Sequence, residues 1–340
     1  MPLRFLAFLE QIPYPEIHIL RMFGSYVLIF RGEAVYATPS PIRYCPLMYK
    51  LLKEVGGPAA SRLLEDFRME REIESREGLL RLINEIILSQ GAYRPDRPLN
   101  VCEANVSFGA SEIMMDALSG HMIDAAALVM NGMGSVLTFT PGTTQGVVQR
   151  MTGCFFTTPH SLLLDRCLEE GVYPVFPFTG SIDPLASARE ALRLGIRRFA
   201  VTTAASYNSR LDEIACLENS GSVIYRLALC ATAVDRPTAA KMSDHGDIVW
   251  SCASSHVREV VAPRAIAQVG LKIPVYIMTQ RGFELIKPRL KAIDPQFDAE
   301  TVIPVTGGRR PVICHRGNRL EMIPADQIRD SCSDCPSPLI

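Results

Sequence analysis

Residues 198–252 read RFAVTTAASYNSRLDEIACLENSGSVIYRLALCATAVDRPTAAKMSDHGDIVWSC, and this stretch decides the fold. It holds three short apolar runs, Arg198 to Thr203, Ser222 to Leu229 and Asp247 to Cys252. Each is almost continuously apolar, as a strand buried on both faces must be, and such strands belong to parallel sheets covered by helices. Between the second and third runs, Thr238 to Met242 reads as a helix stopped by Gly246. Strand, helix, strand is the sequence form of a βαβ unit.

The alternation continues in both directions. Ala125 to Met130, Val172 to Phe176 and Ile273 to Met278 are further strand candidates. Ser111 to Leu118, His160 to Glu170, Pro184 to Leu194, Ser255 to Val269 and Gly282 to Ala292 carry helical patterns. The expected fold is α/β, with a doubly wound, mainly parallel sheet. A smaller N-terminal region precedes it: a hairpin from Tyr26 to Ala37 turning at Arg31-Gly32, then helical spacing over 46–55, 60–70 and 76–90. Tyr93 to Pro98 forms a natural boundary, which divides the chain into residues 1–98, 99–293 and 294–340. The last part is rich in Pro, Gly and Arg, lacks periodicity, and reads as an extension or mobile arm.

With 340 residues, 48% of them apolar, the chain can bury a large core. The 35 basic residues nearly balance the 36 acidic ones, so nothing resembles a nucleic-acid or anionic-membrane footprint. The N-terminal apolar stretch is broken at Glu10 and Gln11, too early for a secretion signal, and no run reaches the roughly 18 apolar residues of a membrane span. A cytoplasmic protein with a small-molecule or protein partner is expected; a homo-oligomer is left open. Ten cysteines in a reducing compartment are free thiols, metal ligands or catalytic groups rather than structural disulfides.

In an open parallel sheet, ligands bind outside the carboxyl ends of the strands. The residues there are small and polar: Asn131, Gly132 and Gly134, then Thr202 and Thr203, then Thr232, then Ser254 and Ser255, then Thr279. They suit a polar pocket, although Ser and Thr at such positions also cap helices. The glycine pair at 132 and 134 lacks the third glycine of a dinucleotide fingerprint, so NAD is not expected. The loop from Pro141 to Gly146 brings Thr143 and Thr144 and several backbone N–H groups together, as an anion-binding nest or as a plain helix start.

Cys252 ends a strand just before Ser254-Ser255-His256, where a helix begins. A helix N-terminus and a protonated His256 would both depress its pKa and favour the thiolate. Cys45 and Cys102 flank the same predicted region, with Glu112 close to the second as a further catalytic candidate. Cys332 and Cys335 form a Cys-Ser-Asp-Cys motif. It reads as a redox dithiol, as half of a metal site completed by Cys314 and His315, or as an accident of sequence.

Several of these segments together resemble the methanogenesis marker protein 8 family of methane-producing archaea: Tyr44-Cys45-Pro46-Leu47, Phe108 to Met115, Asp124 to Gly134, Ser251 to Ser254, Val257 to Gly270 and Ile273-Pro274-Val275. The resemblance runs in order over residues 26 to 292, and the chain departs from it after about residue 300. It implies a role near coenzyme M or methyl-coenzyme M reductase. The first expectation is therefore a cysteine-dependent transferase, moving sulfur or carrying a covalent thiol intermediate in the biosynthesis of a cofactor such as coenzyme M. A noncatalytic assembly factor for methyl-coenzyme M reductase and an iron–sulfur protein are the alternatives.

Overall fold

The computed structural model describes residues 16–55, 61, 76–85, 91, 93–148, 153–207, 209–219, 221–328 and 335–340. The chain opens with β1 (Ile17–Met22), β2 (Ser25–Phe30) and β3 (Glu33–Ala37), followed by α1 (Pro46–Val55), α2 (Arg76–Ile83) and α3 (Ala110–Ser119). Next come β4 (Ala125–Met130), β5 (Gly134–Thr138), α4 (Pro141–Val148), β6 (Cys154–Thr157), α5 (Ser161–Glu169), β7 (Tyr173–Pro174) and α6 (Pro184–Arg193). Then follow β8 (Arg198–Ala204), α7 (Leu211–Ala215), β9 (Val223–Leu229), α8 (Arg236–His245) and β10 (Ile248–Trp250). The chain finishes with β11 (Ala267–Val269), β12 (Val275–Ile277), α9 (Gln280–Ile293), β13 (Pro311–Arg316) and β14 (Arg319–Pro324).

Ten strands form one sheet in the order β14-β13-β11-β12-β10-β9-β8-β4-β5-β7. The four central strands, β10, β9, β8 and β4, are parallel, as their apolar runs imply. The flanks are mixed: β5 returns antiparallel on β4, and β12 runs antiparallel to both β10 and β11. Helices cover both faces. On one side Ile113, Met114 and Phe283 pack with Leu128, Ala200 and Ile248. On the other, Leu185, Ala188 and Ile214 meet Ala127, Phe199 and Ile224. Each fully buried Leu, Ile or Phe contributes about 1.5–3 kcal/mol, so these two layers supply most of the driving force.

A second, four-stranded antiparallel sheet, β3-β2-β1-β6, joins the N-terminal hairpin to β6, which lies beyond the Tyr93–Pro98 stretch. It lies at the carboxyl ends of the parallel strands, where Leu20, Met22 and Ile42 share a core with Val129 and Ala253. Among the described residues no helix is long and apolar enough to cross a membrane.

Three sequence expectations need correction. Ser255 to Val269 is not one helix: a π-helical turn over Val257–Val261 and a short 3-10 turn over Ala262–Arg264 give way to β11, because Pro263 cannot continue the hydrogen-bond ladder. Ile273 to Met278 contains a strand, but an antiparallel one. The extension after residue 294 is not an arm throughout, since β13 and β14 form a hairpin that completes the large sheet. The predicted helix over 60–70 and the end of the one over 76–90 lie outside the described residues.

Candidate functional site

A cleft of about 270 Å³ opens between the small sheet and the carboxyl ends of β9 and β10. Three thiols line it: Cys45 ahead of α1, Cys230 after β9 and Cys252 after β10. Arg21 of β1, Thr232 and Gly153 stand in the same wall. Gly153 has φ of 43°, and a Cβ there would fall 2.7 Å from the Arg21 carbonyl oxygen. The missing side chain lets the Arg21 N–H reach the Gly153 carbonyl at 2.9 Å, which fixes the position of Arg21.

Cys230 and Cys252 both adopt left-handed backbone conformations, with φ of 52° and 45°. Such conformations are uncommon for side chains bearing a Cβ, and they cluster at functional sites. The turn after β9 lies beside the neighbouring thiol: the N–H groups of Cys230 and Ala231, the Thr232 hydroxyl and the Arg21 charge all act to lower the Cys252 pKa. Burial outweighs these donors and raises the Cys252 pKa above its ordinary value. Burial also pushes Cys230 up to about 12, with the neighbouring Cys252 adding to the shift. Both thiols are therefore protonated at neutral pH in this closed form.

Residues 335–340 cross the cleft as a strap. Pro336 forms part of its wall. Ser337 exchanges backbone hydrogen bonds with Tyr44 at 3.0 Å each way. Ile340 donates to the Ala253 carbonyl at 3.0 Å and accepts from Ser255 N–H at 2.9 Å, directly over the turn that carries Cys252.

A family model for uncharacterised proteins conserved in archaea (DUF2099) matches residues 18–291. The chain belongs to this family. An uncharacterised protein of Methanocaldococcus jannaschii is 26% identical over 295 residues, 86% of this chain and 98% of the relative. No solved structure matches. In this DUF2099 protein the span matched by the family model contains Arg21, Cys45, Gly153, Cys230 and Cys252, whereas the strap lies beyond it.

Of the residues singled out from sequence, the cleft brings together Cys45, Thr232 and Cys252. Thr202 and Thr203 line a smaller adjoining cavity. The others lie elsewhere. Thr279 is at the opposite edge of the sheet, because β12 runs antiparallel to β10; it caps α9 and donates to Asp247 at 2.8 Å. Ser254 is fully buried, and its hydroxyl accepts from Val257 N–H at 3.2 Å. Ser255 meets the strap through its backbone. Asn131 is buried beneath the site, where its carbonyl accepts from Arg97 at 2.8 Å.

Gly132 and Gly134 have positive φ, as the glycine reading requires, but protein fills the space beside them. Leu163 occupies the place of a Cβ at Gly132, and the Gly180 carbonyl occupies that place at Gly134. Thr143 and Thr144 are not in an open loop. They are buried in α4, bonded to the hydroxyls of Thr140 and Thr138 at 2.8 and 2.7 Å.

Glu112 is buried and accepts from the N–H groups of Asn105 and Val106, from Gln145 and from the Ser111 hydroxyl, all at 3.0–3.2 Å. With four donors it clamps the 105–106 loop to α3. Cys102 is exposed beside Gly142. His256 faces Glu259 at 3.7 Å, so the groups placed to assist Cys252 are the β9 turn and Arg21 instead. Cys335 lies 4.0 Å from the Leu271 carbonyl, and Cys332 lies outside the described residues. Cys314 is buried on β13, and His315 packs against Phe108 with ring centroids 5.7 Å apart. Among the described residues no group of three or more His, Cys, Asp or Glu is placed to hold a metal ion.

Sequence reasoning missed Arg21 and the thiol of Cys230. The first is a lone cation in the apolar run Ile17 to Met22, with nothing local to distinguish it. The second was visible as a strand-end residue in Cys230-Ala231-Thr232, and the equivalent position of Cys252 one parallel strand away was the available signal.

Proposed function

We propose that this DUF2099 protein is a cysteine-dependent transferase, in which Cys252 carries the transferred group and Arg21 attracts a small anionic substrate. The supporting observation is the cleft in which Cys252 stands with Arg21 and Thr232, since a cation and polar groups beside a thiol favour the thiolate it must become. For sulfur transfer the donor is a persulfide. The Cys252 thiolate attacks the outer sulfur, a new S–S bond forms on Cys252, and the old one breaks with its electron pair leaving on the donor, which takes up a proton as a thiol. The likeness of Phe108 to Met115, Asp124 to Gly134 and Ser251 to Ser254 to methanogenesis marker 8 proteins supports an acceptor related to coenzyme M.

The test is loading with glutathione persulfide followed by peptide mass mapping. One added sulfur is expected on the Cys252 peptide, and Cys252→Ser is expected to abolish it with the circular dichroism spectrum unchanged. Loading should climb about tenfold per pH unit through the neutral range, because the raised pKa leaves the thiolate a minor species there. Equal loading of the Cys252→Ser protein would refute the assignment.

A further inference from the structure

Behind Cys230 lies a second cavity of about 60 Å³. Gly153 and Cys230 belong both to its wall and to the wall of the cleft, so the two spaces adjoin there. Its described lining is dominated by Met114, Leu128, Val129, Val148, Ala204 and Leu229. Two hydroxyls of its wall are already committed: Ser111 donates to Glu112 at 3.0 Å and Thr202 to the Ala127 carbonyl at 3.2 Å. Thr203 pairs with Ala228 of β9, so its side chain points to the other face of the sheet and leaves the chamber apolar.

This arrangement suits one kind of occupant. An ordered water needs two to four polar partners, and a largely apolar chamber offers it a poor site. An aliphatic chain gains from the apolar wall. At the outer end Arg21 lines the cleft, and its Nε has no hydrogen-bond partner. Charge at one end and an apolar chamber at the other define a polarity order for the ligand.

We propose that cleft and chamber together bind a single short-chain organic acid. Its anionic head rests on Arg21, its aliphatic segment passes Cys230, and its apolar tail fills the chamber. The inference rests on the reading of the cleft as the substrate site and adds the shape and chemical class of the substrate. It also places the reacting part of the molecule beside Cys252, between head and tail.

The experiment measures protection of Cys252 from iodoacetamide by straight-chain carboxylates from acetate to octanoate and by their ω-hydroxy counterparts, with peptide mapping. The protecting concentration is expected to fall about fourfold for each methylene that enters the chamber, and then to rise once the chain is too long. Arg21→Gln is expected to weaken all the acids at least tenfold. Ala204→Leu fills the chamber and should remove the gain with length; a thermal melt confirms that this variant folds. The ω-hydroxy acids should protect less well than the plain acids of equal length, because the apolar wall gives a terminal hydroxyl no partner.

Protection independent of length, in the wild type and in Ala204→Leu alike, would overturn the proposal. So would the absence of any protection in a protein whose Cys252 still loads sulfur, and the transferase reading would then stand without it. Length-dependent protection in a protein that never loads sulfur would uphold the binding site and remove only the proposed reaction.

Discussion

Removing residues 335–340 is expected to speed alkylation of Cys252 at pH 7 by about 10- to 100-fold, a pKa fall of one to two units at a factor of ten for each. The strap is bonded to both sides of the cleft, to Tyr44 on one and to Ala253 and Ser255 on the other. It packs over the turn that carries a thiol whose pKa is raised chiefly by burial. The groups that lower that pKa, the N–H groups of Cys230 and Ala231, the Thr232 hydroxyl and the Arg21 charge, all belong to other parts of the chain. Without the strap the burial penalty falls and the donors remain. The thiolate fraction should rise and access should improve together. Iodoacetamide labelling with peptide mapping separates Cys252 from Cys45 and Cys230. An unchanged rate at Cys252 would show that the strap does not control its protonation.

Strands β4, β8, β9 and β10 were legible because a strand buried on both faces must be apolar throughout, and their helices carry glycine stops. The flanking strands were less so. β12 resembles its parallel neighbours in composition, and its direction is set by a connection that no periodicity records. Its reversal carried Thr279 to the wrong edge. There Thr279, Arg226 and Arg281 surround Asp247, which is fully buried, and the cluster holds β9, β10 and α9 together.

At the site, a small polar residue after a strand was a partial guide to position and a poor guide to role. Cys252 and Thr232 reach the cleft, whereas Ser254, at the end of the same strand, caps a helical turn. The activating partners of Cys252 come from an adjacent strand and from the N-terminal sheet. Such proximity depends on sheet order and on the docking of β1, neither of which a local motif carries. His256 was attractive because it is near in sequence, but its ring turns towards Glu259.

Acidification is expected to destabilise the fold through His18, which lies on β1, the strand that carries Arg21. His18 is 4% exposed, with Nδ1 2.7 Å from the Thr157 hydroxyl of β6. That hydroxyl already accepts from Gly132 N–H at 2.7 Å, so its proton is free to reach Nδ1, and the imidazole acts as a neutral acceptor. Burial, with the charge of Arg97 next and His160 last, lowers its pKa from 6.5 to about 3. In the unfolded chain the same ring titrates near 6.5. The folded value is the depressed one, so the unfolded state binds more protons between pH 6.5 and 3. The stabilisation is complete above pH 6.5 and is lost as pH falls towards 3. At about 1.4 kcal/mol per unit, wild-type stability should drop by roughly 2 kcal/mol between pH 6.5 and pH 5 from this group alone. Urea melts of wild type and His18→Gln at pH 7 and pH 5 read the difference directly. The variant starts less stable but should lose about 2 kcal/mol less on acidification. An identical pH dependence in wild type and His18→Gln would show that His18 is not the group responsible.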